Sequence, residues 1–270
     1  SVPVSAIILL ELGILKTKIG NTVISVAVID DIISLVILSI ILQIHVTENT
    51  LLDVGEIGMS IVPILTYLGG IVFLAFAIHK FNYWFPHRLE SFFIKAKTRE
   101  ATFGILIIIT IALSITAQLA GLHFIIGTFF AGLIFSEKIL GKREADKSYG
   151  IMSGVTFGFF APLFFAIIGI QFSGQSLESA LLPLTLLVIL GIFGKTLGGF
   201  IGAKLCRLSN NESLVIASLL NGRGTVGLTI TAMAYSIGIL DLTLFSVAVA
   251  ICFITTILTP IIAKPLLRKI

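Results

Sequence analysis

Four charged side chains stand where their surroundings have almost none. Asp30 and Asp31 are adjacent in "SVAVIDDIISLVILSIILQ", Lys195 lies in "GIFGKTLGGF" and Arg223 in "SLLNGRGTVGLTI". A carboxylate can hold a proton or offer oxygen to a hard cation, but it cannot do both at once. Successive residues of a helix point about 100° apart, so the two aspartates cannot address one partner equally. One can pair with Lys195 while the other faces a cavity. Burial without a full partner disfavours the charged form of carboxylate and ammonium alike. Such groups could trade protons near physiological pH and take up a cation in competition. A fixed pair that only specifies packing fits less well, because one lysine cannot neutralise two aspartates.

The elements that must position these residues are apolar spans. Hydrophobic residues make up 57% of the 270 and charged residues 12%, and mean hydropathy is +1.12. A soluble domain carries about a quarter charged residues, so the composition is that of an all-α, polytopic membrane protein. Cys206 and Cys252 both fall in apolar runs and read as small core residues, with no disulfide framework. Apolar runs between polar breaks give a half-span at Val2–Leu12 and spans at Thr22–Gln43, Ser60–His79, Ala101–Gln118, His123–Ser136 and Gly154–Phe172. Three more follow at Ala180–Leu205, an interrupted Leu214–Ile237, and Leu242–Ala263. Crossing a bilayer takes about 20 apolar residues. The short first run therefore leads us to expect the C-terminal part of a longer transporter-like chain.

Basic residues test this map. Sixteen of the eighteen Lys and Arg fall in alternate loops, the groups beginning at Lys16, Lys80, Lys138, Lys204 and Lys264, while the other loops have none. The positive-inside rule puts the basic loops and the C-terminus in the cytoplasm. This topology explains the net charge of +4 without nucleic-acid binding. The longest basic loop, "HKFNYWFPHRLESFFIKAKTRE", mixes aromatics with cations, including Trp84, and suits the lipid headgroup region.

The two basic residues left over are Lys195 and Arg223. Asp30 and Asp31 are expected about nine residues into their helix, roughly 14 Å from its cytoplasmic end, and Lys195 near the centre of its own span. An intramembrane charge costs at least about 2.5–3.5 kcal/mol, so similar depths imply pairing or a water-filled site. Asn221, Gly222, Arg223 and Gly224 interrupt an apolar helix at mid-depth, where irregular backbone must be buried in protein or line a cavity. Two half-helices meeting there bring opposite dipole ends to one depth, a feature of ion sites in secondary transporters. "SVPVSAIILLELG" reads as a half-helix with Pro3 at its start, and with the broken span it fits an inverted repeat. "GTFFAGL", with Gly132, reads as close helix packing, Pro162 as a kink, and His123 as an interface residue.

At "ELGILKTKIGNTVISVAVIDDIISL", "HFIIGTFFAGLIFSE", "FGFFAPLFFAIIGIQF", "FGKTLGGFIGAKL" and "NGRGTVGLTI" the sequence resembles the bacterial and archaeal cation:proton antiporters of the sodium/hydrogen exchanger superfamily, of Nha and Kef type. The resemblance implies an inverted-repeat antiporter fold with discontinuous helices. A core domain (1–46 and 180–270) would move against a dimerisation domain (100–172), with a linker helix at 60–80. It implies that Asp31 binds the cation (Na+, or Li+ or K+) or the proton, that Asp30 pairs with Lys195, and that Ser1 is a polar residue able to ligate the ion. The discontinuous-helix site would comprise Asn221, Gly222, Arg223, Gly224 and Thr225. Members often carry an acidic residue at the position of Thr225, so no third carboxylate stands there. Members with paired aspartates tend to be electrogenic. The implied protein is a homodimer in the plasma membrane, exchanging a monovalent cation for protons, with no cofactor and no catalytic residues. A Kef-like potassium efflux system or channel-like pathway shares the fold and usually adds a nucleotide-binding regulatory domain. Intramembrane aspartyl proteolysis would need aspartates converging from two helices, whereas these are neighbours on one.

Overall fold

In the computed structural model, the structure describes residues 2–11, 13–50, 69, 80, 99–119, 124–134 and 142–267, which are helical apart from short turns. The helices are α1 (Val2–Glu11), α2 (Lys18–Thr50), α3 (Arg99–Leu119), α4 (Phe124–Ile134), α5 (Lys142–Val155) and α6 (Ala161–Gln171). They continue with α7 (Gly174–Ser179), α8 (Leu181–Leu205), α9 (Asn210–Leu219), α10 (Thr225–Ser236) and α11 (Leu242–Leu267). Ser1, His123, Trp84 with most of its loop and nearly all of the linker expected at 60–80 lie outside the described residues.

Among the described residues, four runs are long and apolar enough to cross a membrane: Lys18–Leu42, Lys142–Gln171, Leu181–Leu205 and Leu242–Leu267. At 1.5 Å per residue they measure about 38–45 Å, more than the roughly 30 Å of a bilayer core. α8 exposes Leu182, Leu186, Leu190, Phe193 and Leu197 at three- and four-residue spacing. In water such a stripe would invite aggregation; against lipid it is an ordinary surface.

The chain divides into two compact units, Ser1–Ser34 with Ile168–Ile270, and Leu35–Ile167. In the second, Leu106 of α3 is fully buried among Ile105, Ile109, Ala145 and Met152, which joins α3 to α5. Close packing in "GTFFAGL" falls on Gly127, where a Cβ would strike the backbone of Leu113, whereas a Cβ on Gly132 would meet nothing within 4 Å among the described residues. The kink expected at Pro162 takes a different form. Thr156–Phe160 is a π-helical segment just upstream, closed by the Ala161 N–H donating to the Thr156 carbonyl. Pro162 has no N–H for a carbonyl one turn earlier, and a widened turn accommodates that loss.

The first unit holds the residues of interest. Ile8 and Leu9 of α1, Val23 of α2, Ala203 of α8, Val215, Ile216 and Leu219 of α9 and Ala263 of α11 form one buried cluster. Helix ends follow local chemistry. Ser209 caps α9 by accepting from the Glu212 N–H (3.2 Å), and the Glu212 carboxylate accepts from the Ser209 N–H (2.8 Å), a reciprocal capping box. α1 and α10 stop at Gly13 (φ 68) and Gly238 (φ 81), left-handed positions that glycine occupies without strain. At the α8–α9 turn that position is Arg207 (φ 59). Cys206, expected in a core, is the exposed C-terminal cap of α8, because the helix ends one residue before it.

Candidate functional site

α2 begins at Lys18 rather than Thr22, since the Thr17 hydroxyl accepts from the Gly20 N–H at 3.3 Å and starts the helix in polar sequence. Asp30 is therefore about 18 Å along α2, deeper than expected. Lys195 lies about 15 Å from the C-terminal end of α8. α1 lies across the break between α9 and α10. The buried Ser5 hydroxyl donates to the Leu219 carbonyl at 2.9 Å, and a Cβ on Gly222 would meet Val4 Cγ1 at 3.0 Å. A side chain there would push Val4 aside by a few tenths of an ångström, and glycine avoids that crowding.

A cavity of about 290 Å³ opens within this unit. Asp30, Asp31 and Ser34 of α2 line it with Lys195 of α8, Gly222, Arg223 and Gly224 of the break, Gly227 and Thr231 of α10, and Cys252 of α11. At about 30 Å³ per water, the space equals roughly ten waters. Lys195 Nζ donates to Asp30 Oδ2 at 2.7 Å. Asp31 lines the cavity with no ion-pair partner among the described residues. The four charges around the space, two acidic and two basic, sum to zero when all are ionised.

The break is held from several sides. Asn221 donates through Nδ2 to Thr196 Oγ1 (2.8 Å), next to Lys195, and to the Ala217 carbonyl (3.1 Å). The Thr256 hydroxyl donates to the Arg223 carbonyl at 2.9 Å. Carbonyls that a continuous helix would satisfy are thus met by side chains from α1, from Asn221 in the break itself and from α11. Asn221 Oδ1 and Arg223 Nε are buried with no hydrogen-bond partner among the described residues. Gly224 caps α10 without a side-chain bond. The positive end of that helix dipole therefore borders the space that holds the aspartates. Thr225 is the first residue of α10.

The structure thus gathers Asp30, Asp31, Lys195, Gly222, Arg223 and Gly224 around one cavity, with Asn221 buried behind them. Ser1 lies outside the described residues, and Thr225 is not among the residues lining the cavity. Sequence reasoning missed Ser34, Thr231, Thr256, Thr196 and Ser5. Ser34 had a signal, its position three and four residues after the aspartates. The others had none, because isolated hydroxyls are common in apolar helices and usually bond within their own helix.

The sequence matches the family described as "Sodium/hydrogen exchanger, transmembrane" over residues 1–269. It is similar to a Na+/H+ antiporter of Enterococcus hirae, 27% identical over all of this chain and 67% of that protein. It is also similar to a probable Na+/H+ antiporter, GerT, of Bacillus cereus, 27% identical over all of this chain and 66% of the relative. A high-affinity Na+/H+ antiporter, NhaS3, of Synechocystis is 28% identical over 96% of this chain and 54% of its own length. The chain spans about two thirds of the length of the first two relatives. It is an integral membrane protein, and it belongs to the transmembrane sodium/hydrogen exchanger family.

Proposed function

We propose that the protein is a secondary active transporter that exchanges a monovalent cation for protons by alternating access at Asp31. Na+ is the leading substrate, with Li+ or K+ as further ones. The observation that carries this reading is the 2.7 Å pair between Lys195 and Asp30, which leaves the adjacent Asp31 facing a cavity beside a broken helix. Asp31 holds either a proton or a cation, so loading one displaces the other. That competition makes transport an exchange. Lys195 offsets the charge of Asp30, so loading at Asp31 changes the cavity by one charge at a time. Arg223 provides the second positive charge and stands where a purely acidic site would bind cations too tightly to release them.

The relatives' names favour this reading over a potassium efflux system or channel-like pathway. We place the protein in the plasma membrane with its basic loops and C-terminus cytoplasmic, working as a homodimer, with residues 100–172 as the dimerisation domain and 1–46 with 180–270 as the moving core. The test is transport by the intact protein in proteoliposomes containing a pH-sensitive dye. Added Na+ should move protons in the opposite direction, with a response that saturates. Cation flux without counter-movement of protons would support the channel-like reading instead.

A further inference from the structure

We propose that Ser34 and Thr231 supply neutral oxygen ligands to the cation at Asp31 and thereby set which monovalent cation is preferred. This deepens the reading of the cavity given above and rests on it. Ser34 follows Asp31 by three residues and Asp30 by four, spacing that makes it the helix-surface neighbour of each aspartate, and all three line the cavity. Several hydroxyls elsewhere in these helices are engaged by the backbone one turn earlier. Ser39 donates to Leu35 (2.9 Å), Thr255 to Ile251 (2.8 Å) and Thr259 to Thr255 (2.7 Å). Ser34 makes no such bond among the described residues, so its oxygen is uncommitted. Thr231 borders the same space from α10, buried, with its hydroxyl hydrogen directed to the Gly227 carbonyl at 2.9 Å. That donation leaves the lone pairs of its oxygen available.

The charge balance explains why neutral oxygens suit this site. Asp30, Asp31, Lys195 and Arg223 already cancel, and a further carboxylate would leave the empty cavity with one net negative charge, holding a cation more tightly against release. Hydroxyl oxygens add ligands for a hard cation without adding charge. The cavity's room for roughly ten waters lets water complete the coordination shell. Discrimination among alkali cations then rests on the few fixed oxygens. The smaller, more strongly polarising Li+ and Na+ gain more from them than K+ does.

The experiment measures the apparent KM for Na+, Li+ and K+ at one fixed pH, with the intact transporter in proteoliposomes. Ser34→Ala and Thr231→Val should each raise the KM for Na+ and Li+ by about tenfold, equivalent to about 1.4 kcal/mol. The KM for K+ should rise less, and the maximal rate should hold. Ser34→Thr should restore the Na+ value. Ser34→Cys, similar in size but without a hard oxygen, should behave like Ser34→Ala and guards against a packing artefact. Unchanged KM values beside an inactive Asp31→Asn would overturn the inference alone. An equal rise for all three cations, or a fall in rate with KM unchanged, would also overturn it. An Asp31→Asn variant that transports normally would instead overturn the reading of the cavity beneath it.

Discussion

Breaking the Asp30–Lys195 pair from either side should move transport in opposite directions while destabilising the fold both times. The bond is 2.7 Å long, and the side chains are 40% and 30% exposed. At an effective dielectric near 20 the gross attraction is about 6 kcal/mol, but water reaches both groups. Exposed pairs are worth about 0.2–1 kcal/mol net, and breaking a buried pair costs about 3–5 kcal/mol. For this half-buried pair we expect a loss of about 2 kcal/mol in Asp30→Asn, which strands the lysine. At about 2–4 °C per kcal/mol for a chain of this size, that loss lowers the unfolding temperature by about 4–8 °C. Asp30→Asn leaves the cavity with one net positive charge and should weaken apparent cation affinity. Lys195→Met leaves one net negative charge and should strengthen it. The assay is a double-mutant cycle with thermal unfolding in detergent and cation KM in proteoliposomes. The Asp30→Asn, Lys195→Met double variant should recover more than half of the lost stability. Strictly additive losses, or KM shifts of the same sign in both single variants, would refute the coupling.

Three further outcomes follow from the same geometry. A Cβ at Gly191 would lie 2.7 Å from Arg223 Nη2, the mobile end of a long side chain, so Gly191→Ala should leave the unfolding temperature nearly unchanged while severalfold reducing transport rate. Ser5→Ala leaves the Leu219 carbonyl without its partner and should cost about 1–3 kcal/mol, read by thermal unfolding. Hydrogen bonds from Ser209, first its backbone N–H, hold the Glu212 carboxyl below its ordinary value of 4.5. That stabilisation is fully present above pH 4.5 and is lost as pH falls through the lower folded-state value. Glu212→Gln should flatten this part of the stability-against-pH curve without changing transport at neutral pH.

How much of this could be read in the chain depended on whether a residue type has an innocent explanation. Asp30, Asp31 and Lys195 have none inside apolar runs, so depth and charge counting alone brought them near one another. Asn-Gly-Arg-Gly likewise marked the break, which the structure places between Leu219 and Thr225. Hydroxyls do have an innocent explanation. Nothing in sequence separates Thr256, which holds the Arg223 carbonyl, from Thr255, which bonds within its own helix. Apolar runs also hide helix ends. The turn from Lys18 to Asn21 is polar yet helical, which placed the aspartates about one turn too shallow. Cys206 looked like core because it follows an apolar run, but the run ended with the helix.

The central claim is that Asp31 is the group loaded alternately by cation and proton. Its most direct test is Asp31→Asn in the intact transporter, reconstituted with a pH-sensitive dye and challenged with Na+ over a range of pH. An amide of the same shape keeps the packing but can neither release a proton nor neutralise a cation. The account predicts a folded protein in which Na+ moves no protons at any pH. Na+-driven proton movement at the unsubstituted rate would contradict it.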